Sequence, residues 1–454
     1  MKVLNKTTRK NRRTIILFFL FIVYIFSTKT TIESGNSASR YATIESLVEK
    51  GTFIIDDSAF IDTNDKIYIN NHFYSDKPPI LSFLTSGIYL VLYYVFGISF
   101  KNNLALVTYI ITLLTSGLTT ILMLFFFYKS LEFLKVEEKY QHILVLTLGL
   151  ATLIFPYTLV FNNHIIVANL SFIIFYFIIK NKFEILKEYE YYLIGLLAGL
   201  IFAIDLVTGG TFLVLFSLYF LINLFKKSII KLAYYIVGII IPIFLYLYFN
   251  ILIGGTILPF SLVPEFFDYP GSDFTKDNLT GVASHDSLSS LLIYSFHVLF
   301  GYRGLFSYSP ILLISFYFLI KLSANKKYLF FKEALLVLIG MSTVVLFYIF
   351  KSNNYGGYAY GMRWFVAFTP LLFFFTVFYF KDKLTSKKLK FCLLLVLISF
   401  FVALVGVYNP WADSFGYPFF LNQPVPFLNN LRFLLEDLLK FIDPSLLEYI
   451  KGLI

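Results

Sequence analysis

The chain has 454 residues, of which 58% are hydrophobic and 14% charged, against roughly 25% charged in a soluble domain. This excludes a water-soluble globular enzyme and points to an all-α, multi-spanning membrane protein, because apolar runs of about 20 residues recur throughout. The net charge of +10 does not indicate nucleic acid, since the lysines fall in short loops between apolar runs, where positive charge sets orientation. The one cysteine, Cys392, lies inside an apolar run and excludes a disulfide framework.

The basic lead MKVLNKTTRKNRR precedes the apolar stretch Thr14–Ser27. No small-residue cleavage pattern follows Ser27, so the stretch reads as an uncleaved first span with a cytoplasmic N-terminus. Residues 33–79 come next, ESGNSASRYATIESLVEKGTFIIDDSAFIDTNDKIYINNHFYSDKPP, the longest polar stretch and the densest in carboxylates. A loop of this length is functional or disordered, and the Tyr, Phe and Ile spaced through it favour the first. Ala42, Ile44, Leu47 and Val48 predict a short amphipathic helix ended by Gly51, followed by a strand-like Thr52–Ile55. Glu45 and Glu49, one helical turn apart, read as solvated.

Beyond this loop the apolar runs include Ile80–Gly97, Leu104–Tyr128, His142–Phe161, Ile165–Ile179, Leu288–Gly301, Trp364–Phe380 and Phe391–Tyr408. There are roughly 11–13 hydrophobic helices in all. If every run crosses, the lysine-rich loops fall on both sides. The conflict vanishes when Ile80–Gly97 and Leu288–Gly301 lie in the outer interface instead. The loops Lys129–Lys139, Lys180–Glu190, Lys226–Lys231, Lys321–Lys332 and Lys381–Lys390 are then all cytoplasmic, with roughly eleven spans. This predicts a cell-membrane protein with residues 1–408 as the transmembrane domain and 33–79 as its first external loop. Residues 409–454 form an external interfacial tail, whose Phe427–Leu447 has an amphipathic helical pattern.

After the N-terminal cluster arginine occurs only at Arg40, Arg303, Arg363 and Arg432, all on the external side of this partition. Either each pairs with a neighbouring carboxylate or snorkels, or its guanidinium fork recognises phosphate. SDKPP, Ser75–Pro79, is a second candidate. Two prolines suit a helix start, and its free positive end with Lys77 makes a seat for phosphate. The alternative is an Asp76 cap with a snorkelling lysine. The third candidate is Asn162–Asn163–His164, between two runs at the external edge. The fourth, SNNYGGYAYGMRW, brings glycines for close approach, tyrosines such as Tyr358 that can stack on a sugar, and Arg363. Asp205, at the end of an apolar run, is a functional candidate because carboxylates beside lipid are costly. There is no phosphate loop, no His pair with metal spacing and no Cys cluster.

With these motifs the chain resembles the GT-C type polyprenyl-phosphate-sugar-dependent glycosyltransferases, which include protein mannosyltransferases and the aminoarabinose transferases of lipid A. The resemblance rests on SRYATIESLVEKGTF, NNHFYSDKPPILSFL and GGYAYGMRWFVAFTP, with Asp76–Lys77–Pro78 its most specific element. It implies a GT-C-like fold and inverting transfer of a sugar from a polyprenyl-phosphate donor at the external face. Lys77, Arg40 and Arg363 would hold the donor phosphate. Asp76 would take a catalytic role or help bind a divalent metal ion. Tyr41, Asn163, Asp205 and Tyr358 would contact substrate; the acceptor glycan, lipid or protein is left open. The chain departs from the family where an Asp-Glu pair precedes the Arg-Tyr, for it has Asn36–Ser37–Ala38–Ser39 there. The catalytic base then moves to Glu33 or His164, or this branch works differently. Two competing classes are a lipid-linked glycan flippase or transporter, and a glycan polymerase or ligase. The first would show polar residues at span centres and repeat symmetry, whereas the polar residues here concentrate at the external ends.

Overall fold

Residues 2–27 form one continuous helix, α1 (Lys2–Ser27), in the computed structural model of the chain, which describes residues 2–32, 34–225, 227–274, 285–381, 385–412 and 425–442. α2 (Gly35–Glu49) follows, capped by Ser34, whose side chain accepts from the Asn36 amide. Ala42, Ile44 and Val48 are buried, as the spacing predicts. Glu45 is not solvated. It is buried and accepts from the Ser58 hydroxyl and, at 2.8 Å, the Ala59 amide, which clamps the following loop onto α2.

No strand forms at Thr52–Ile55. The two strands among the described residues are β1 (Lys66–Ile69) and β2 (His72–Ser75), antiparallel, with Ile69 opposite His72 and Lys66 opposite Ser75. The turn residues Asn70 and Asn71 sit at φ 50 and 67. A two-residue hairpin needs this left-handed region, and Asn tolerates it better than most residues.

The remainder is helical: α3 (Pro79–Phe96), then α4 (Phe100–Phe133), which passes through a π-helical turn at Leu113–Gly117. Next come α5 (Glu138–Leu150), α6 (Asn163–Lys180), α7 (Glu188–Ile204), α8 (Thr208–Leu224) and α9 (Ile229–Gly254). After these lie α10 (Leu288–Leu299), α11 (Leu312–Ser323), α12 (Phe331–Lys351), α13 (Arg363–Lys381), α14 (Ser386–Tyr408) and α15 (Pro426–Ile442). Among the described residues 7 helices, namely α3, α4, α6, α9, α12, α13 and α14, are long and apolar enough to cross a membrane. The protein is thus polytopic and all-α in character, with one small hairpin. The 12 residues of α10 span only about 18 Å, short of the ~30 Å apolar thickness of a bilayer. α3, with 18 residues, reaches the length of a span, so its interfacial placement rests on the lysine partition alone.

α6 and α13 form the centre, 89% and 83% buried along their spans. Apolar residues run all round both helices, and Phe172 and Phe175 interleave with Phe374 and Phe375 and their neighbours. A helix with no polar face has to be enclosed by others. α7 and α9 cross at close range, where a Cβ at Gly195 would lie 2.0 Å from the Tyr235 carbonyl oxygen. Only glycine permits that approach, the device by which membrane helices pack backbone to backbone.

The lysine-rich loops gather at one end of the bundle. Phe133 stacks on Phe183, Lys182 donates to the Leu329 carbonyl at 2.9 Å, and Lys332 reaches Asn223 at 3.1 Å. Tyr140 packs on Phe380. The N-terminal basic lead joins them, through Arg12 to Glu138 and Arg13 to Glu132, both at 3.4 Å. The amphipathic tail helix α15 docks on α14, where buried Asn430 donates to the carbonyls of Val405 and Asn409. The predicted tail residues beyond Ile442 lie outside the described residues.

Candidate functional site

At the other end of the bundle a polar cavity of about 790 Å³ opens between α2, the hairpin loop, the starts of α3 and α6, the α7–α8 turn and the segment before α13. The hairpin register builds its first wall. Because Lys66 pairs with Ser75, the residues just outside that pair, Asp65 and Asp76, come side by side. Both carboxylates hold Lys77: its Nζ lies 3.0 Å from Asp65 Oδ2 and 2.8 Å from Asp76 Oδ2. Pro78 and Pro79 then start α3 with no side chain capping it, so the positive helix end stays open beside Lys77. Asp76 is therefore not the helix cap. Burial drives the Asp76 carboxyl above the usual range; Lys77 lowers it, and the neighbouring charge of Asp65 raises it again. Burial raises Asp65 too, but there Lys77 and the two guanidinium groups outweigh it and hold that carboxyl below the usual range.

The second wall comes from the start of α6 and the α7–α8 turn. Asn162 caps α6, its side chain accepting from the Ile165 amide at 3.0 Å, so Asn163 and His164 occupy the first turn. Asp205 organises both. Its Oδ2 accepts from Asn163 Nδ2 at 2.9 Å and lies 3.3 Å from His164 Nδ1, while its Oδ1 accepts from the Thr208 amide at 2.9 Å. Burial raises the Asp205 carboxyl, but these donors prevail and hold it low. With Nδ1 engaged, His164 Nε2 has no hydrogen bond to a described residue, and the ring lines the cavity.

The third wall carries the guanidinium groups. Arg40 is 1% exposed, and its Nη1 donates to the Asn36 carbonyl at 3.1 Å and to the Asn36 side-chain oxygen, while its Nε has no partner. Burial pushes this guanidinium down to about 10 against the pull of Asp76 and Asp65, so it remains a cation at neutral pH. Arg363 makes no hydrogen bond or ion pair with a described residue, and its Nε is buried without a partner. Its guanidinium rests 5.5 Å from the Trp411 ring centre. A buried N–H left unpaired costs about 1–3 kcal/mol, which marks Arg363 as a group held ready for an anion. Gly356, at φ +85, lets the loop pass its side chain, since a Cβ there would sit 3.3 Å from Arg363 Cγ.

Asp76, Lys77, His164, Arg40, Arg363, Asn163, Asp205 and Tyr358 thus share one cavity. Tyr41 does not reach it. The tyrosine is 2% exposed, stacks on Phe161 and bonds Thr112 at 3.2 Å, because α2 turns that position toward the helical core. Glu33 lies outside the described residues. The other two arginines have structural partners. Arg303 donates to the carbonyls of Tyr355 and Gly357, at 3.1 and 2.6 Å, and so fixes the loop that carries Tyr358. Arg432 pairs with Glu436 at 2.8 Å on α15. The residues missed in the sequence are Asp65 and Tyr348; Tyr348 stacks at 4.0 Å in the cavity wall on Trp364, the last residue of the fourth candidate stretch. Asp65 had a signal, the Asn-Asn turn between alternating strands; the Tyr348–Trp364 stack had none. Among the described residues no group of three His, Cys, Asp or Glu comes together to hold a metal. The cation between Asp65 and Asp76 is an ammonium, so this carboxylate pair does not fit a divalent ion.

An apolar groove of about 680 Å³ adjoins the cavity: Leu206, Val207, Tyr348 and Trp364 line both, and the groove's other walls include Val214, Leu215, Leu262 and Phe347.

No family model and no curated protein sequence matches the chain. Its fold is similar to that in the crystal structure of ArnT from Cupriavidus metallidurans bound to undecaprenyl phosphate, with a TM-score of 0.53 at 15% identity. The likeness covers 84% of this chain but 62% of that one; the chain spans less than two thirds of its length. The fold is GT-C-like.

Proposed function

We propose that the protein is a membrane glycosyltransferase that moves a sugar from a polyprenyl-phosphate donor to an acceptor in the polar cavity. One observation carries this reading: Arg363, its Nε buried and without a hydrogen bond, lines the same cavity as Lys77, and an apolar groove adjoins that cavity. A phosphate joined to a long apolar chain fits that junction. The structure similar in fold was solved with undecaprenyl phosphate, which supports the same ligand class.

In the proposed reaction the donor phosphate sits between Arg363, Lys77 and the open end of α3, with its chain in the groove. His164 Nε2 takes the proton from an acceptor hydroxyl or amine, while Asp205 holds Nδ1 and steadies the imidazolium. The acceptor atom bonds to the anomeric carbon as the bond from that carbon to the phosphate oxygen breaks. The electron pair leaves on polyprenyl phosphate, whose new charge the guanidinium and ammonium groups stabilise. One displacement inverts the anomeric centre and needs no covalent enzyme intermediate. Asp65 and Asp76 hold Lys77 in place, aimed at the phosphate.

The test is transfer by the full chain in nanodiscs, supplied with a polyprenyl-phosphate-linked sugar labelled in the sugar and with a membrane extract as acceptor. Labelled product and free polyprenyl phosphate should appear together, and Arg363→Ala should lose both. Movement of intact donor across the bilayer without release of polyprenyl phosphate would overturn the reading.

A further inference from the structure

The same helices that build the polar cavity frame a second one at their opposite ends. α6 begins at Asn163 in the first cavity and ends near Ile178 and Lys182 in the second; α12 runs from Phe331 in the second to Tyr348 in the first. At 1.5 Å per residue the two lie roughly 25 Å apart along the bundle. The second cavity, of about 810 Å³, is lined by five lysines: Lys182, Lys227, Lys231, Lys326 and Lys332. Among the described residues no Asp or Glu lines it. Lys182 is committed to buried Glu333 at 3.0 Å and to the Leu329 carbonyl, and Lys332 to Asn223. Lys227 and Lys326 have no ion pair or hydrogen bond through their side chains to a described residue. Lys231 has only the face of Tyr191, 5.6 Å away.

Ammonium groups facing one concavity repel each other, and with no carboxylate in the wall an anion is what relieves them. The mouth indicates which anion. Leu329 in its wall is 62% exposed, and Ile222, Phe225, Ile229 and Ile230, next in sequence to the lining residues Asn223, Leu224, Ser228 and Lys231, are 61–74% exposed. In a membrane chain such residues face acyl chains. The site therefore joins a cationic pocket to a lipid-facing apolar rim.

We propose that this lysine cavity binds the phosphate headgroup of an anionic membrane lipid, with the lipid's chains on the rim formed by α8, α9 and the segment before α12. The chemistry recognised is a phosphate ester; free phosphate shares it but has no use for the rim. Lysines suit a singly charged, mobile headgroup, because each is a flexible point charge and none imposes the geometry of a guanidinium fork. The proposal rests on this cavity and not on the transfer reaction.

The experiment is native mass spectrometry of the full chain after delipidation, with phosphatidylglycerol or phosphatidylcholine added back and inorganic phosphate as competitor. Phosphatidylglycerol should be retained over phosphatidylcholine. The double variant Lys227→Gln, Lys326→Gln should bind it about 30-fold more weakly, with two lysines near the headgroup removed. Neither side chain has a partner to lose, so the melting temperature should not move, and Lys101→Gln, an exposed lysine elsewhere, should leave binding unchanged. Equal retention of the two lipids, or full retention by the double variant, would overturn the proposal. Displacement of the lipid by millimolar inorganic phosphate would overturn the assignment to a lipid.

Discussion

The two cavities are of nearly equal volume, about 790 and 810 Å³, and share α6, α7 and α12 as walls, yet their charges are arranged in opposite ways. In the first, five carboxylates line the cavity with two guanidinium groups and an ammonium, and Asp76, Asp205 and Arg40 are buried. Asp65 and Asp76 clamp Lys77, Asp205 holds Asn163 and His164, and each group fixes another's position. In the second, lysines of one sign stand largely exposed, and four of the five have no anionic partner among the described residues. Charge pairing in a buried site gives geometry, which catalysis needs. Unpaired surface charge gives attraction without geometry, which is enough to hold a headgroup. On the two proposals the first end does chemistry and the second binds.

Mutations should separate the two ends, and the largest effect is expected at Lys77. Lys77→Ala leaves two carboxylates facing each other and removes a cation from the donor phosphate. Transfer should fall by about 10³-fold or more, with a lower melting temperature as well, because breaking a buried ion pair strands its partners. Asp76→Asn separates the two effects: it keeps a hydrogen-bond partner for Lys77, so stability should hold while transfer drops. Full transfer by both variants would move the chemistry elsewhere.

His164→Gln comes next, with an expected loss of about 10²–10⁴-fold in turnover and little change in donor binding. The readout is the split between kcat and KM. A change in KM alone would reduce His164 to a substrate contact and leave the base unassigned. Arg363→Lys should be milder. It keeps the charge but loses the fork, and should weaken binding of polyprenyl phosphate by about 1.5–3 kcal/mol, read by native mass spectrometry. Retained affinity would place Arg363 with Arg303 and Arg432 as a structural arginine.

The smallest effect is expected at Tyr41→Phe. It removes the 3.2 Å hydrogen bond to Thr112, worth about 0.5–1.5 kcal/mol of stability, and should leave transfer within about twofold of the parent because the ring never reaches the cavity. A large loss of transfer with an unchanged melting temperature would put Tyr41 back at the substrate.

The amino-acid sequence by itself determined the class of molecule and the location of its polar groups. Apolar runs longer than a soluble core tolerates specify membrane helices, and lysine-rich loops specify which helix ends lie together, since both follow from local composition. The same locality made Lys77 at the proline-started helix, His164 at the cap of α6 and Arg363 after its glycines visible as candidates. Which of them meet was decided only in three dimensions. Asp65 stands beside Asp76 through a hairpin register, and Asp205 meets His164 across a helix pair. Arg363 is left without a partner while Arg303, equally unusual in the sequence, finds two carbonyls. Tyr41 faces inward because the rotation of α2 is set by packing against Phe161 and Phe100, not by its own periodicity. The lysine cavity too comes from three loops far apart in the chain. Helix formation and membrane insertion respond to neighbours in sequence, whereas a binding site is a set of contacts between residues that only packing brings together.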